Sequence, residues 1–179
     1  AFIELNQKAV VETCYSDGDF RRYRGFRLLA IDGSKIHLPD TPGVRDAFGT
    51  IDHNPAHGKA KPYALASVVY DLLNRIALDA RLEEATAYEV NVAFQKLGLL
   101  EEDDLIVFDR NYTDFILLSY LIQRERHFIG RARRSSFSAV LSMFEPGSPT
   151  SRVVTVRAPK RARHGVRALG LPERITLRF

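Results

Sequence analysis

Leu105-Ile106-Val107-Phe108-Asp109-Arg110-Asn111-Tyr112 is the stretch that decides the fold. Four apolar residues run without interruption into a carboxylate, the pattern of a short strand buried on both faces that ends in an acid. Phe26-Arg27-Leu28-Leu29-Ala30-Ile31 repeats the pattern about eighty residues earlier and ends at Asp32-Gly33. Ligands bind beyond the carboxyl ends of strands in open sheets with parallel neighbours, so both acids stand where chemistry is expected.

The segments around them supply the rest of an α/β chain. Residues 2–14 carry Phe2, Leu5, Ala9 and Val10 at near-helical spacing, and Ser16-Asp17-Gly18-Asp19 stops that helix. Residues 35–38 continue the first strand as an extended segment. Residues 39–61 hold many Pro, Gly, Asp and His residues and read as a long loop. Residues 63–70 and 75–82 alternate around Asp71-Leu72-Leu73-Asn74 and predict a hairpin. Thr86 and Glu89 have capping-box spacing for a helix through Leu97, with Gly98 past its end. Residues 113–126 read as an amphipathic helix and residues 127–133 as a third buried strand. This order predicts a mixed sheet with helices on its faces. The expected divisions are a helical segment at 1–24, a core at 25–135 and the start of a β-rich insertion at 136–179.

Bulk properties narrow the function classes. The 179 residues are 45% hydrophobic, enough for a core of ordinary domain size. The net charge of +4 is mild, but its distribution is not. The first half is nearly balanced, whereas residues 124–179 carry thirteen Lys and Arg against Glu125, Glu145 and Glu173. Such a tail suits a phosphate polyanion. The single cysteine, Cys14, excludes an intrachain disulfide and a cysteine zinc cluster. No apolar run is long enough to span a bilayer, and a reducing, cytoplasmic setting is expected. The sequence opens at Ala1 without a methionine and closes at Phe179 within strand-like residues, so a piece of a longer protein is expected.

If the two strands are neighbours, Asp32 and Asp109 converge, and paired carboxylates repel unless a cation lies between them. Magnesium, or manganese in its place, prefers such oxygen ligands and takes phosphate oxygens for the rest. Two ions at such a site serve phosphoryl transfer. The structural alternatives are that Asp32 caps the turn before Gly33 and that Asp109 pairs with Arg110.

Leu28-Leu29-Ala30-Ile31-Asp32-Gly33-Ser34, a loop, a hairpin, a helix and then Leu105 to Tyr112 resemble the DDE transposases of bacterial insertion sequences. The resemblance covers roughly residues 20–135 and implies a ribonuclease-H-like sheet. It implies Asp32 and Asp109 as catalytic metal ligands with two magnesium ions, and double-stranded DNA as partner. It also implies work as a homodimer and residence with the bacterial nucleoid. The family's third ligand is a glutamate in a Tyr…Arg…Glu…Lys setting. Nothing in the sequence matches it, since Glu145 and Glu173 lie in insertion-like sequence, and the glutamate is expected beyond Phe179. This piece alone is therefore expected to be inactive.

Candidate DNA contacts are Arg131, Arg133 and Arg134 after the third strand, and Lys160, Arg161 and Arg163 in the tail. Arg110 is placed either on phosphate or on a nearby acid, and Tyr112 either on the DNA backbone or in packing. His53, His57 and Lys59 read as loop surface, with phosphate contact the sharper alternative. Rival readings are a non-catalytic DNA-binding remnant of a decayed element, and an actin-like or sugar-kinase-like ATPase, which Ile31-Asp32-Gly33-Ser34-Lys35 faintly resembles.

Overall fold

The computed structural model describes residues 2–16, 18–52 and 60–179. The residues fall into two compact units, 1–106 and 107–179.

In the first unit, β1 (Arg27–His37) is antiparallel to β3 (Lys61–Asp71). β2 (Thr50–Ile51) and β4 (Ile76–Glu84) both pair with β3, and β5 (Asp104–Phe108) begins beside β1. Period-two burial on β1 puts Leu29 and Ile31 into the core and Asp32 outside. The apolar run ends at Asp32, and the strand continues into the extended segment expected at 35–38. Burial stops at Asp32, while pairing continues to His37 opposite Tyr63.

The hairpin is as predicted, and Asp71 organises its turn. Its carboxylate is fully buried and accepts from the backbone N–H groups of Leu73 (3.0 Å) and Asn74 (2.9 Å), from Asn74 Nδ2 (2.8 Å) and from Tyr15 Oη (2.7 Å). Tyr15 belongs to the leading helical segment, formed by α1 (Phe2–Leu5), a π-helical stretch (Asn6–Glu12) and α2 (Thr13–Ser16). Asn6 Nδ2 donates to Ala77 O at 2.8 Å and holds this segment on β4.

Two local expectations are corrected. The segment 39–61 is not all loop. α3 (Pro42–Phe48) starts at Thr41, whose hydroxyl accepts from Val44 N, with Pro42 in the first turn and Gly49 at the end. His53, His57 and Lys59 lie outside the described residues. The helix expected from Thr86 is α4 (Glu89–Lys96), with Tyr88 at its N-terminal boundary and no side-chain cap. Bonds from Ala85 N to Phe48 O (2.8 Å) and from Ala87 N to Glu84 O (2.9 Å) hold residues 85–87 in a turn, so Thr86 cannot cap.

The second unit starts with the end of β5 and a 3-10 turn, Arg110–Tyr112. Asp114 caps α5 (Phe115–Gln123) by accepting from Ile116 N (2.8 Å) and Leu117 N (3.3 Å). β6 (His127–Gly130) follows beside β5, but it is largely exposed rather than the buried strand expected. It is the last strand on that side of the sheet, and only Phe128 turns inward, stacking on Phe108. After the short α6 (Ser138–Leu141) come β7 (Val153–Arg157), α7 (Arg163–Ala168) and β8 (Arg174–Arg178). β7 and β8 form an antiparallel two-stranded ribbon. Val156, Ile175 and Leu177 are buried on its inner face. Ser119 Oγ donates to Pro172 O (2.9 Å) and Gln123 Nε2 to Gly170 O (3.1 Å), tying α5 to the segment before β8. The whole is the mixed α/β arrangement that the sequence predicts. Among the described residues no helix is long and apolar enough to cross a membrane.

Candidate functional site

Asp32 lies on β1 opposite Val68, at the first residue past the buried run. Its side chain is exposed, and Oδ1 accepts from the N–H of Gly33 at 2.8 Å. That bond is the turn-like contact the sequence left open. It occupies one lone pair of one oxygen and leaves the rest of the carboxylate to solvent or a ligand. Asp109 directly follows the buried Phe108 and is exposed. Its backbone oxygen accepts from Tyr112 N at 3.0 Å, which starts the 3-10 turn.

The turn after Asp109 is braced from within its own unit. Arg131 N donates to Phe108 O at 3.2 Å. The Arg133 guanidinium donates to Asn111 Oδ1, Arg133 N donates to Ser136 Oγ at 3.0 Å, and Thr113 Oγ1 donates to Arg110 O at 2.7 Å. Tyr112 is 1% exposed beside Phe108, so its ring takes the packing alternative. Arg110, Arg131, Arg133 and Arg134 are exposed, and Arg134 stacks over Phe144. Lys160 and Arg161 are exposed on a 3-10 turn, while Arg163 is half-buried and donates to Ala158 O.

Asp32 and Asp109 offer the hard oxygen donors that magnesium and manganese prefer. Among the described residues, no group of three or more His, Cys, Asp or Glu side chains is placed to hold a metal. The donor chemistry of each carboxylate therefore suits such an ion.

Two features escaped the sequence reading. The first is Lys96, fully buried on α4, whose Nζ donates to Ser67 O (2.6 Å) and pairs with Asp79 (3.1 Å). Burial pushes its pKa below the usual lysine value, and the Asp79 contact only partly opposes that. Ser67 pairs with Gly33, so Lys96 anchors the stretch of β3 beside Asp32. The second is the outer face of the β7–β8 ribbon, which displays Arg157, Arg174 and Arg178. The alternation of Arg and Thr with Val, Ile and Leu in 153–157 and 174–178 was the signal for it.

No protein-family model matches the chain. It is similar to the Escherichia coli (strain K12) protein named "Putative transposase InsZ", with 25% identity over 144 residues. That match takes in 79% of the chain and 46% of the relative, so the chain spans less than half of its relative's length. Among solved structures it matches the piggyBac transposase synaptic complex with hairpin DNA. There the TM-score is 0.43 and the identity 14%, over 75% of the chain and 31% of the other.

Proposed function

We propose that the chain is the catalytic-core portion of a DDE-type DNA transposase, which cuts transposon-end DNA and joins it to a target. The observation that carries this reading is the placement of two exposed carboxylates. Asp32 stands on β1 of the first unit where its burial ends, and Asp109 directly follows the buried Phe108 at the start of the second. The similarity to a relative named as a transposase supports it.

Asp32 and Asp109 would be the metal ligands, with a further carboxylate completing the set. A divalent ion bound there supplies Lewis acidity at a phosphoryl oxygen and a more acidic water. In the reaction proposed, a water oxygen attacks the phosphorus, the P–O3′ bond breaks, and the 3′ oxygen leaves as a hydroxyl. The oxygen of that hydroxyl then attacks the phosphorus of a target phosphodiester, the target's P–O3′ bond breaks, and the target 3′ oxygen takes up the proton and leaves as a hydroxyl. The chain's residues contribute position and charge. Arg110, Arg131, Arg133, Arg134, Lys160, Arg161 and Arg163 are proposed to hold the DNA backbone and fix its register.

A second reading keeps the DNA and drops the chemistry, making the chain a DNA-binding remnant. The want of a three-carboxylate group among the described residues favours it. Manganese titration of the chain followed by calorimetry separates the two. The transposase reading expects saturable binding that Asp32→Asn and Asp109→Asn each weaken by about tenfold or more. Binding unchanged in both variants would remove these residues from the metal site.

A further inference from the structure

The β7–β8 ribbon has an outer face built from three cross-strand pairs: Val153 with Arg178, Thr155 with Thr176, and Arg157 with Arg174. The backbone bonds fix how close these pairs are. Arg152 and Phe179 exchange both of their N–H···O bonds, and Ala158 N donates to Glu173 O. Pairing alternates along an antiparallel ladder. All three outer pairs therefore fall in the non-hydrogen-bonded class, with Cα atoms about 4.5 Å apart and side chains at their closest. Arg157 and Arg174 are thus like charges set directly opposite at the tightest cross-strand spacing, an arrangement that destabilises a sheet.

Among the described residues neither of these arginines forms an ion pair, and the acid that feels Arg157 is Glu173. Between residues 152 and 178 there are eight Lys and Arg and one acid, Glu173. Glu173 is already taken: it accepts from Arg167 Nε at 2.7 Å. That bond, with the surrounding charges of Arg157 and Arg163, holds its carboxyl below the usual range. The inner face of the ribbon is buried, so the outer arginines cannot turn inward. Thr155 and Thr176 lie between them, with hydroxyls 3.2 Å apart.

We propose that this outer face is a docking surface for duplex DNA, laid into the major groove. The inference deepens the reading of the chain as a DNA transposase and rests on its assignment of DNA as partner. A two-stranded ribbon has the width that a major groove of about 12 Å admits. Arg174 and Arg178 are four residues apart, roughly 13 Å along the strand, which matches about four base-pair steps. Arginine forks suit phosphate oxygens and guanine edges, and threonine offers a hydroxyl and a methyl to base edges. An anion between Arg157 and Arg174 turns their repulsion into a shared contact. Lys160 and Arg161, just past β7, extend the same charge along the chain.

The test is binding of the full chain to a fluorescent random-sequence duplex, followed by anisotropy across a salt series. The double variant Arg157→Thr with Arg174→Thr is compared with Arg124→Thr plus Arg126→Thr, which removes the same charge elsewhere in the unit. The ribbon variant is expected to bind about tenfold or more weakly and to lower the salt slope by nearly two. Its melting temperature should equal or exceed the parent's, because repulsion is relieved. The control should lose less, and the ribbon variant should lose less on single-stranded DNA than on duplex. Equal losses in ribbon and control variants, or equal losses on single and double strands, would overturn groove docking. If the double variant fails to fold, Arg178→Thr, whose cross-strand partner is Val153, carries the same test with a slope change near one. A parent chain that ignores duplex DNA overturns the DNA reading itself. DNA binding that depends on the ribbon in a chain without metal affinity overturns only the catalytic reading.

Discussion

The two compact units handle charge in opposite ways. Residues 1–106 hold twelve basic and seventeen acidic residues, and residues 107–179 hold fourteen and five, which together give the net +4. In the first unit the charges that matter to the fold are buried and paired. Arg27 grips Asp104 with two bonds of 2.6 and 2.9 Å, Tyr15 donates to Asp71, and Lys96 pairs with Asp79. In the second unit the arginines of the ribbon face solvent beside one another. Buried pairs fix a structure because each partner is costly without the other. Exposed charges of one sign weaken the free structure slightly and strengthen binding to a polyanion. Asp32 and Asp109 belong to neither class, being acids left exposed at the edge of burial.

The contrast is broken most severely at Lys96. Lys96→Met should destabilise by about 3 kcal/mol in urea unfolding, the low end for breaking a buried pair, because Arg81 still reaches Asp79 at 3.2 Å. Adding Asp79→Leu should restore much of that loss. The sign of its pH dependence follows from the lowered lysine pKa. Above the folded pKa and below the unfolded value of 10.5, the unfolded chain holds a proton that the folded chain lacks. Stability contributed by this site therefore rises with pH through that window. The difference between parent and Lys96→Met should shift accordingly, and a flat difference would mean that Lys96 is not desolvated.

A smaller effect is expected at Gly130, on β6. A Cβ there would fall on the ring of Phe108, the residue before Asp109. Gly130→Ala should destabilise by about 1–3 kcal/mol through overpacking. It should also weaken metal binding more than an equally destabilising change elsewhere, because the displaced ring supports the end of β5. The ribbon substitutions stand at the bottom of the stability scale, within about 0.5 kcal/mol of the parent, and at the top of the DNA-binding scale.

The buried cores of β1 and β5 were legible because uninterrupted apolar runs are a strong local signal, although β1 runs on past its apolar stretch to His37. The hairpin was legible from its turn residues, though the reason Asp71 sits there was not, since Tyr15 is far away in sequence. α3 was readable in principle from Thr41-Pro42 and Gly49, but a His- and Gly-rich neighbourhood masked it. Thr86 had the right spacing for a cap and lost to a tertiary bond, Ala85 to Phe48, that no local pattern shows. β6 read as buried because His127-Phe128-Ile129-Gly130 is apolar, yet edge position decides exposure, and edge position belongs to topology. Lys96 stands in the last turn of α4, and no local pattern marks its burial.

The proposed sharing of one metal ion by Asp32 and Asp109 is tested most directly by a double-mutant cycle on manganese affinity. Asp32→Asn, Asp109→Asn and the double variant are titrated alongside the parent, with circular dichroism to verify the fold. Ligands of one ion should be coupled, the double variant losing at least threefold less or more affinity than the product of the single losses predicts. Losses that multiply within error, or single variants that bind like the parent, would contradict a shared site.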